Sequence, residues 1–303
     1  MQSKTIGWIG TGVMGVSMAG HILDKGYKVL IYNRTRPKAE SLLARGAIWH
    51  ENPRSVAEAC DIAFTIVGYP EDVEEVVLGK AGLLAGLKPG TILVDMTTSK
   101  PSLAERIYGE AKSKGVSALD APVSGGDVGA RNAKLAIMAG GDKEAYEIVL
   151  PLFQLMGETI ALMGGPGKGQ HTKMCNQILI ASTMIGTVES LLYAVRAGLG
   201  QDAVIDVIGK GAAASWSVNN LGRRITAGNF DPGFFIKHFV KDMGIALDEA
   251  RRMRIALPGL ALANQLYVSA MAMGLENLGT QALYKVLERL NAQSEPPEGP
   301  RKC

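Results

Sequence analysis

The sequence predicts an α/β domain built on a mainly parallel, doubly wound sheet, followed by an all-α C-terminal domain. Three observations carry this. Short, fully apolar runs alternate with helical stretches through the first half; a glycine cluster, Gly164-Gly165-Pro166-Gly167, then interrupts the pattern; beyond it helical periodicity continues with almost no strand signal. The resulting division is 1–164 for the sheet domain, 165–292 for the helical domain, and 293–303 for a Pro-, Glu- and Lys/Arg-rich tail expected to be disordered.

Taken in order, Thr5 to Ile9 is an apolar run that ends in glycines, Val29 to Tyr32 is a second, Ile62 to Val67 a third and Thr91 to Val94 a fourth. Val116 to Leu119 and Leu135 to Met138 complete six expected strands. Apolar residues at helical spacing fill the intervals, as in Val13 to Lys25, Lys38 to Arg45 and Pro101 to Lys114. Strands that are apolar at every position are buried on both faces, which is why helices are expected above and below a parallel sheet. In the second half, Gln170 to Ala197 reads as one helix of seven or more turns. Further helices fit Ala203 to Lys210, Ser217 to Ile225, His238 to Met253, Pro258 to Met273 and Thr280 to Leu290. The most apolar long segment, Asn176 to Val195, contains Glu189 and several Ser, Thr and Gly residues, so a buried helix is expected rather than a membrane span.

Composition narrows the function. The chain has 303 residues with 47% hydrophobic and 20% charged residues, enough apolar material for two packed domains. Net charge is +3 with no basic run, so neither nucleic acid nor an anionic membrane is an expected partner; the slight positive excess suits acidic small molecules, and the sequence motifs narrow this to a small carboxylate substrate. Cys60, Cys175 and Cys303 form no C-x-x-C pair and no ligand spacing with the four histidines, so no metal site is expected. Met1-Gln2-Ser3-Lys4 passes directly into the first strand, leaving no room for a secretory leader; the expected compartment is the cytoplasm.

The strongest motif is Gly10-Thr11-Gly12-Val13-Met14-Gly15, a G-x-G-x-x-G between an apolar strand and a helix. Alone it is weak, because the chain has 37 glycines; the strand–turn–helix context gives it weight and points to a Rossmann domain. Gly10 permits the tight turn, Gly12 lets a pyrophosphate approach the backbone, and Gly15 lets helix and strand pack closely. The helix N-terminus offers N–H groups and a positive dipole end to the phosphates. At the end of the second strand, where an NAD site carries Asp or Glu, stand Asn33, Arg34 and Thr35. A neutral amide, a planar cation and a hydroxyl suit a 2′-phosphate, which points to NADP; Arg36 adds charge, and a basic loop that tolerates either cofactor, NAD included, is the competing reading.

Two further segments look chemical. Asp120-Ala121-Pro122-Val123-Ser124-Gly125-Gly126 follows an expected strand and presents bare backbone N–H groups beside one hydroxyl, a cradle for a carboxylate or else a structural turn. In the second, glycines lead into the long helix, whose Lys173, Asn176 and Gln177 at i, i+3 and i+4 share one face, a polar cluster for a cleft or else a solvated face.

These residues resemble the β-hydroxyacid dehydrogenase family, typified by 3-hydroxyisobutyrate dehydrogenase and tartronate semialdehyde reductase, from Ile6 to about Leu287. The resemblance rests on four motifs in order: the glycine fingerprint, Asp120 to Gly126, Gly167 to Asn176, and Lys241-Asp242-Met243. It implies that Lys173 is the catalytic lysine, that Ser124, Gly125 and Gly126 bind the substrate carboxylate, and that Asn176 holds the substrate. It further implies that Val67, Gly68 and Thr98 line the cofactor site and that Lys241 lies near the nicotinamide, in a homodimer or homotetramer. Many members carry two asparagines after the lysine, whereas this chain has Asn176-Gln177, like the tartronate semialdehyde reductase branch. Asn33-Arg34-Thr35 instead resembles the NADP-using glyoxylate and succinic semialdehyde reductase branch, so the substrate stays open between them.

The expected chemistry is reversible hydride transfer between the carbinol carbon of a small 3-hydroxy acid and the nicotinamide. Lys173 acts as general base or acid, which requires its pKa to fall well below the free value of about 10.4. His171 lies two residues before Lys173, off its helical face, and is the rival acid–base group; Trp216 is a suggested pocket aromatic. Of the alternatives, a non-catalytic NADP-binding sensor is disfavoured by the presence of Lys173 and Asn176. A 6-phosphogluconate dehydrogenase type is disfavoured by the short helical domain, and an imine reductase by Lys173.

Overall fold

The computed structural model describes residues 4–292. The expected tail at 293–303 lies outside the described residues. Contacts divide the chain into two compact units, 1–176 and 177–303, with the division twelve residues past the expected boundary at 164 and inside the long helix.

Within the first unit the described strands form a nine-stranded sheet: β1 (Thr5–Ile9), β2 (Lys28–Tyr32), β3 (Ile48–Trp49), β4 (Ile62–Thr65), β5 (Ile92–Asp95), β6 (Ser117–Asp120), β7 (Val123–Ser124), β8 (Leu135–Gly141) and β9 (Gly157–Leu162). Their order is β3-β2-β1-β4-β5-β6-β8-β7, with β9 also paired to β8. The six expected strands are all present. The two-residue strands β3 and β7 are too short to show a pattern, and β9, Gly-Glu-Thr-Ile-Ala-Leu, has the adjacent polar residues Glu158 and Thr159 near its start and only a short apolar run. The third expected strand ends at Thr65 rather than Val67; the Val67 N–H donates to the Thr97 hydroxyl instead of to a strand partner. The first helix begins at Gly15, not Val13, so Val13 and Met14 belong to the turn.

Strands β3, β2, β1, β4, β5 and β6 run parallel to one another, and β8 is antiparallel to β6 and β7. Alternation along each strand sends successive side chains to opposite faces. Ile6 and Trp8 of β1, with Ile92 and Val94 of β5, join the cluster under helix Gly15–Asp24; Ile9 and Leu93 join the cluster on the other face, beside Val73 and Ile107. Trp8 stacks on Phe64 at 5.3 Å, and Phe64 meets Phe153 edge-on at 6.4 Å. Helices Gly15–Asp24, Pro70–Leu78 and Pro101–Ser113 make the crossovers. Strand order reverses between β1 and β4, the position where an open parallel sheet leaves a crevice at its carboxyl edge.

The second unit is helical among its described residues. The long helix, Lys168–Arg196, is continuous through the 176/177 division, and Gln201–Ile208, Ile236–Met253, Pro258–Ala272 and Leu283–Leu290 follow. The segment expected as one helix from Ser217 is a π-helical turn, Ser217–Gly222, followed by Arg223–Thr226. Phe239 meets Tyr267 edge-on at 5.0 Å, and the buried Tyr267 hydroxyl donates to the Thr280 carbonyl at 2.8 Å. The expectation that the long helix is buried needs correction. Ala181, Met184, Val188 and Leu191 form a buried stripe, but Leu179 is 65% exposed, Tyr193 74% and Val195 51%. The helix is apolar nearly all round, and by length and composition it passes as a candidate membrane span, yet one chain covers only one side of it.

Candidate active site

Parallel register brings the motif-bearing loops to one edge. Ile9 pairs with Tyr32 and with Thr65, Thr65 with Asp95, and Asp95 with Asp120, so β1, β2, β4, β5 and β6 end level with one another. The chain segments that leave there carry Gly10, Asn33, Val67, Thr98 and Ser124.

The glycine turn has the shape the motif demands. Gly10 has φ +98°, and a Cβ on it would stand 2.1 Å from the Ile66 carbonyl oxygen. A Cβ on Gly15 would stand 2.2 Å from the Gly10 carbonyl, whereas one on Gly12 would meet nothing within 4 Å. Gly10 and Gly15 therefore serve packing within the turn, and Gly12 leaves its backbone open to a ligand. The indole of Trp8 donates to the Gly10 carbonyl at 2.8 Å and fixes the turn from below. Thr11 is buried, yet its hydroxyl has no hydrogen-bond partner among the described residues. A phosphate oxygen would supply one, so these residues fit a dinucleotide pyrophosphate.

Asn33 is built into the same turn. Its Oδ1 accepts the Thr11 N–H at 3.0 Å and its Nδ2 donates to the Thr35 carbonyl at 2.8 Å. Arg34 is 81% exposed and pairs with Asp72 at 3.0 Å. Asp72 in turn accepts the Tyr69 N–H at 3.1 Å, capping the helix Pro70–Leu78. The Arg36 guanidinium lies 5.2 Å over the Trp49 ring. Arg34 and Thr35 thus stand exposed beside a turn that Asn33 makes rigid.

A buried polar network sits behind the edge. The Asp95 carboxyl accepts the Thr65 hydroxyl at 2.7 Å and the Thr97 N–H at 3.0 Å, while the Thr97 hydroxyl accepts the Val67 N–H at 3.0 Å. Burial pushes the Asp95 carboxyl up to about 6, against the lowering effect of those donors. Asp120 accepts the Gly167 N–H on one oxygen and the Gln170 N–H on the other, each at 2.8 Å. Burial raises its carboxyl as well, opposed by the same two N–H groups. The Asp120 to Gly126 segment and the start of the long helix, separated in sequence by some forty residues, are joined at this carboxylate. Close approach requires a glycine here: a Cβ on Gly169 would stand 2.3 Å from the Met138 carbonyl and 2.6 Å from that of Asp120.

Beyond Asp120 the chain makes the short strand β7, which ends at Ser124, then Gly125 at φ +130° and Gly126 at φ +62°. These left-handed glycines turn the backbone into the helix Gly126–Arg131. Lys173 is 6% exposed and lies in the second turn of the long helix, with Asn176 half-buried one turn on. Gln177 and Lys241 belong to the second unit. There the Gln177 amide donates to Asp242 at 2.5 Å, and Lys241 pairs with the other Asp242 oxygen at 3.0 Å. His171 is half-buried, His21 contacts the Ala130 carbonyl at 2.8 Å, and Trp216 is exposed. Reading the sequence missed Asp95, Thr97 and Gln170. The available signal was the pair of apolar strands that each end in Asp, Ile92 to Asp95 and Ser117 to Asp120.

Comparison with known proteins identifies the family. The family model for the NAD binding domain of 6-phosphogluconate dehydrogenase matches residues 5–165. The model for the NAD-binding part of NADP-dependent 3-hydroxyisobutyrate dehydrogenase matches residues 167–287. The chain belongs to the β-hydroxyacid dehydrogenase family. Among relatives in that family, the Arabidopsis thaliana protein described as probable 3-hydroxyisobutyrate dehydrogenase-like 1, mitochondrial, is 56% identical over 96% of this chain and 87% of its own length. The 2-hydroxy-3-oxopropionate reductase of Escherichia coli is 38% identical over 93% of this chain and 97% of its own. A solved structure described as Psf3 in complex with NADP+ and 2-OPP superposes with TM-score 0.86 at 26% identity, covering 93% of this chain and 99% of that one. As a member of this dehydrogenase family the protein is an NAD(P)-dependent oxidoreductase of the 3-hydroxyacid type.

Proposed function

We propose that the protein transfers hydride between NADP(H) and a small 3-hydroxy acid or the corresponding carboxylate semialdehyde, with Lys173 as general acid and base. The observation that carries this reading is the Asp120 carboxylate, which bonds the Gly167 and Gln170 N–H groups and so ties the carboxylate-binding segment to the helix bearing Lys173. The 38% identity to a 2-hydroxy-3-oxopropionate reductase supports a short semialdehyde as substrate. When bound, the nicotinamide supplies the hydride chemistry. The chain does the rest. Ser124 and the N–H groups of Gly125 and Gly126 anchor the substrate carboxylate and fix which carbon is presented. Lys173 moves one proton at the carbinol oxygen, and Asn176 hydrogen-bonds the substrate without titrating. Thr11, Gly12, Val13 and Met14 hold the pyrophosphate, while Val67, Gly68 and Thr98 line the cofactor, with Lys241 toward its nicotinamide end.

NADP preference rests on Arg34 and Thr35 and on a neutral Asn33 whose amide oxygen is already committed to Thr11. The Asp72 carboxylate paired with Arg34 favours a second reading, use of both NADP and NAD, because it lies near where a 2′-phosphate would bind. We propose further that the protein works in the cytoplasm as a homodimer or homotetramer, supported for assembly by the uncovered apolar side of the long helix.

The test follows loss of reduced-nicotinamide absorbance with NADPH and NADH over glyoxylate, succinic semialdehyde, methylmalonate semialdehyde and tartronate semialdehyde. Turnover of one aldehyde with NADPH is expected. Lys173→Ala should keep NADPH binding and lose turnover by about a thousandfold, within the range that one acid–base group supplies; wild-type turnover in that variant would remove Lys173 from the mechanism.

A further inference from the structure

Gln170 has no part in the reaction as drawn, yet it is 0% exposed near the start of the long helix. Its carboxamide is used at both ends. Oε1 accepts the Ser99 N–H at 2.9 Å, and Nε2 donates to the Thr97 carbonyl at 2.7 Å. Its own backbone N–H goes to Asp120 at 2.8 Å. One residue therefore grips both the loop that follows β5 and the end of β6, across separations of 71, 73 and 50 residues. Thr97 is itself fixed by Asp95 and by the Val67 N–H, so the grip reaches the loop after β4 as well.

Lys173 is three residues beyond Gln170 on the same helix, about 4.5 Å along its axis. A helix is stiff over one turn, so any slide or rotation of its start against the 97–99 loop moves the Lys173 amine by a comparable amount. Apolar contacts tolerate such sliding; two opposed hydrogen bonds to a fixed loop do not. The chemistry of the grip is selective too. It faces one donor and one acceptor, which an amide satisfies together and an ionised carboxylate does not.

We propose that Gln170 is a positioning residue that sets Lys173 against the 97–99 loop, so that its loss lowers the rate of proton transfer more than it loosens the cofactor. This rests on the reading of Lys173 as the acid–base group. The test compares full-length Gln170→Glu and Gln170→Met with wild type, using NADPH and the aldehyde that the panel selects. At pH 8 the charged acid meets the Thr97 carbonyl, and kcat should fall tenfold or more while the NADPH Kd stays within threefold. Between pH 8 and pH 6 the ratio of Gln170→Glu to wild-type kcat should climb, because the protonated acid again accepts from Ser99 and donates to Thr97. Burial and the carboxylates of Asp120 and Asp95 favour that protonation; the basic side chains nearby on the same helix are Lys173 and His171. Gln170→Met fills similar space with no directional ends and should stay low throughout.

Wild-type kcat in both variants, or a Gln170→Glu ratio that stays low and flat across this range, would overturn the proposal. The pH ratio decides even where Gln170→Met fails to fold. The two readings fail separately: full turnover in Lys173→Ala removes the acid–base assignment, whereas an inactive Lys173→Ala beside fully active Gln170 variants removes only this one.

Discussion

At the scale of single residues, the site depends on polar groups whose ordinary behaviour is altered by where they are buried. Asp95 is the clearest case. A carboxyl raised in the fold contributes most to stability below its unfolded value of about 3.9 and loses that contribution as pH rises through about 6. Wild-type folding should therefore forfeit on the order of 1 kcal/mol from this group between pH 5 and pH 7. Asp95→Asn keeps an oxygen for Thr65 and Thr97 but carries no charge. Its melting temperature relative to wild type should be higher at pH 7 than at pH 5 by a few degrees, measured by thermal unfolding; an offset independent of pH would contradict the assignment. Arg34 is the opposite case, an exposed charge whose 3.0 Å pair with Asp72 adds little stability. Arg34→Gln should weaken NADPH about tenfold and leave NADH within about twofold, read by fluorescence titration. Equal weakening of both would mean that Arg34 contacts something the two cofactors share.

At the scale of elements, the start of the long helix is held by the sheet edge rather than by its own propensity. Gly169 shows the sign of the effect. In an open helix, glycine to alanine is stabilising by about 1 kcal/mol. Here the added Cβ would press on the Met138 and Asp120 carbonyls, backbone atoms with little room to move. Gly169→Ala should thus destabilise by about 2 kcal/mol or more, seen as a lower denaturant midpoint. An unchanged or higher midpoint would show that the helix start is not pressed against β6 and β8. The first strand and its turn obey the same logic, because Trp8 is at once core and anchor, packed on Phe64 and bonded to the Gly10 carbonyl.

At the scale of the whole molecule, the uncovered side of the long helix makes the assembly prediction. Leu179 and Tyr193 are fourteen residues apart, two heptads, and so lie on the same side at 65% and 74% exposure. Sedimentation should find a dimer or tetramer, and Tyr193→Glu should shift it toward monomer; a wild-type monomer at micromolar concentration would refute the assembly reading. Much of this protein was legible before its fold was known. Apolar runs such as Ile6 to Ile9 and Ile62 to Thr65 are signals that a residue gives with its near neighbours, and so is the G-x-G-x-x-G turn. That local information determined the parallel sheet, the helical second half, the cofactor class and Lys173 as the group to watch. The strand β9, the covered and uncovered faces of the long helix, and the hydrogen bonds of Asp95, Asp120 and Gln170 were decided only in three dimensions. The reason is separation along the chain: Gln170 finds its partners 71 and 73 residues away, and no local pattern encodes a hydrogen bond that exists only once the sheet edge has formed.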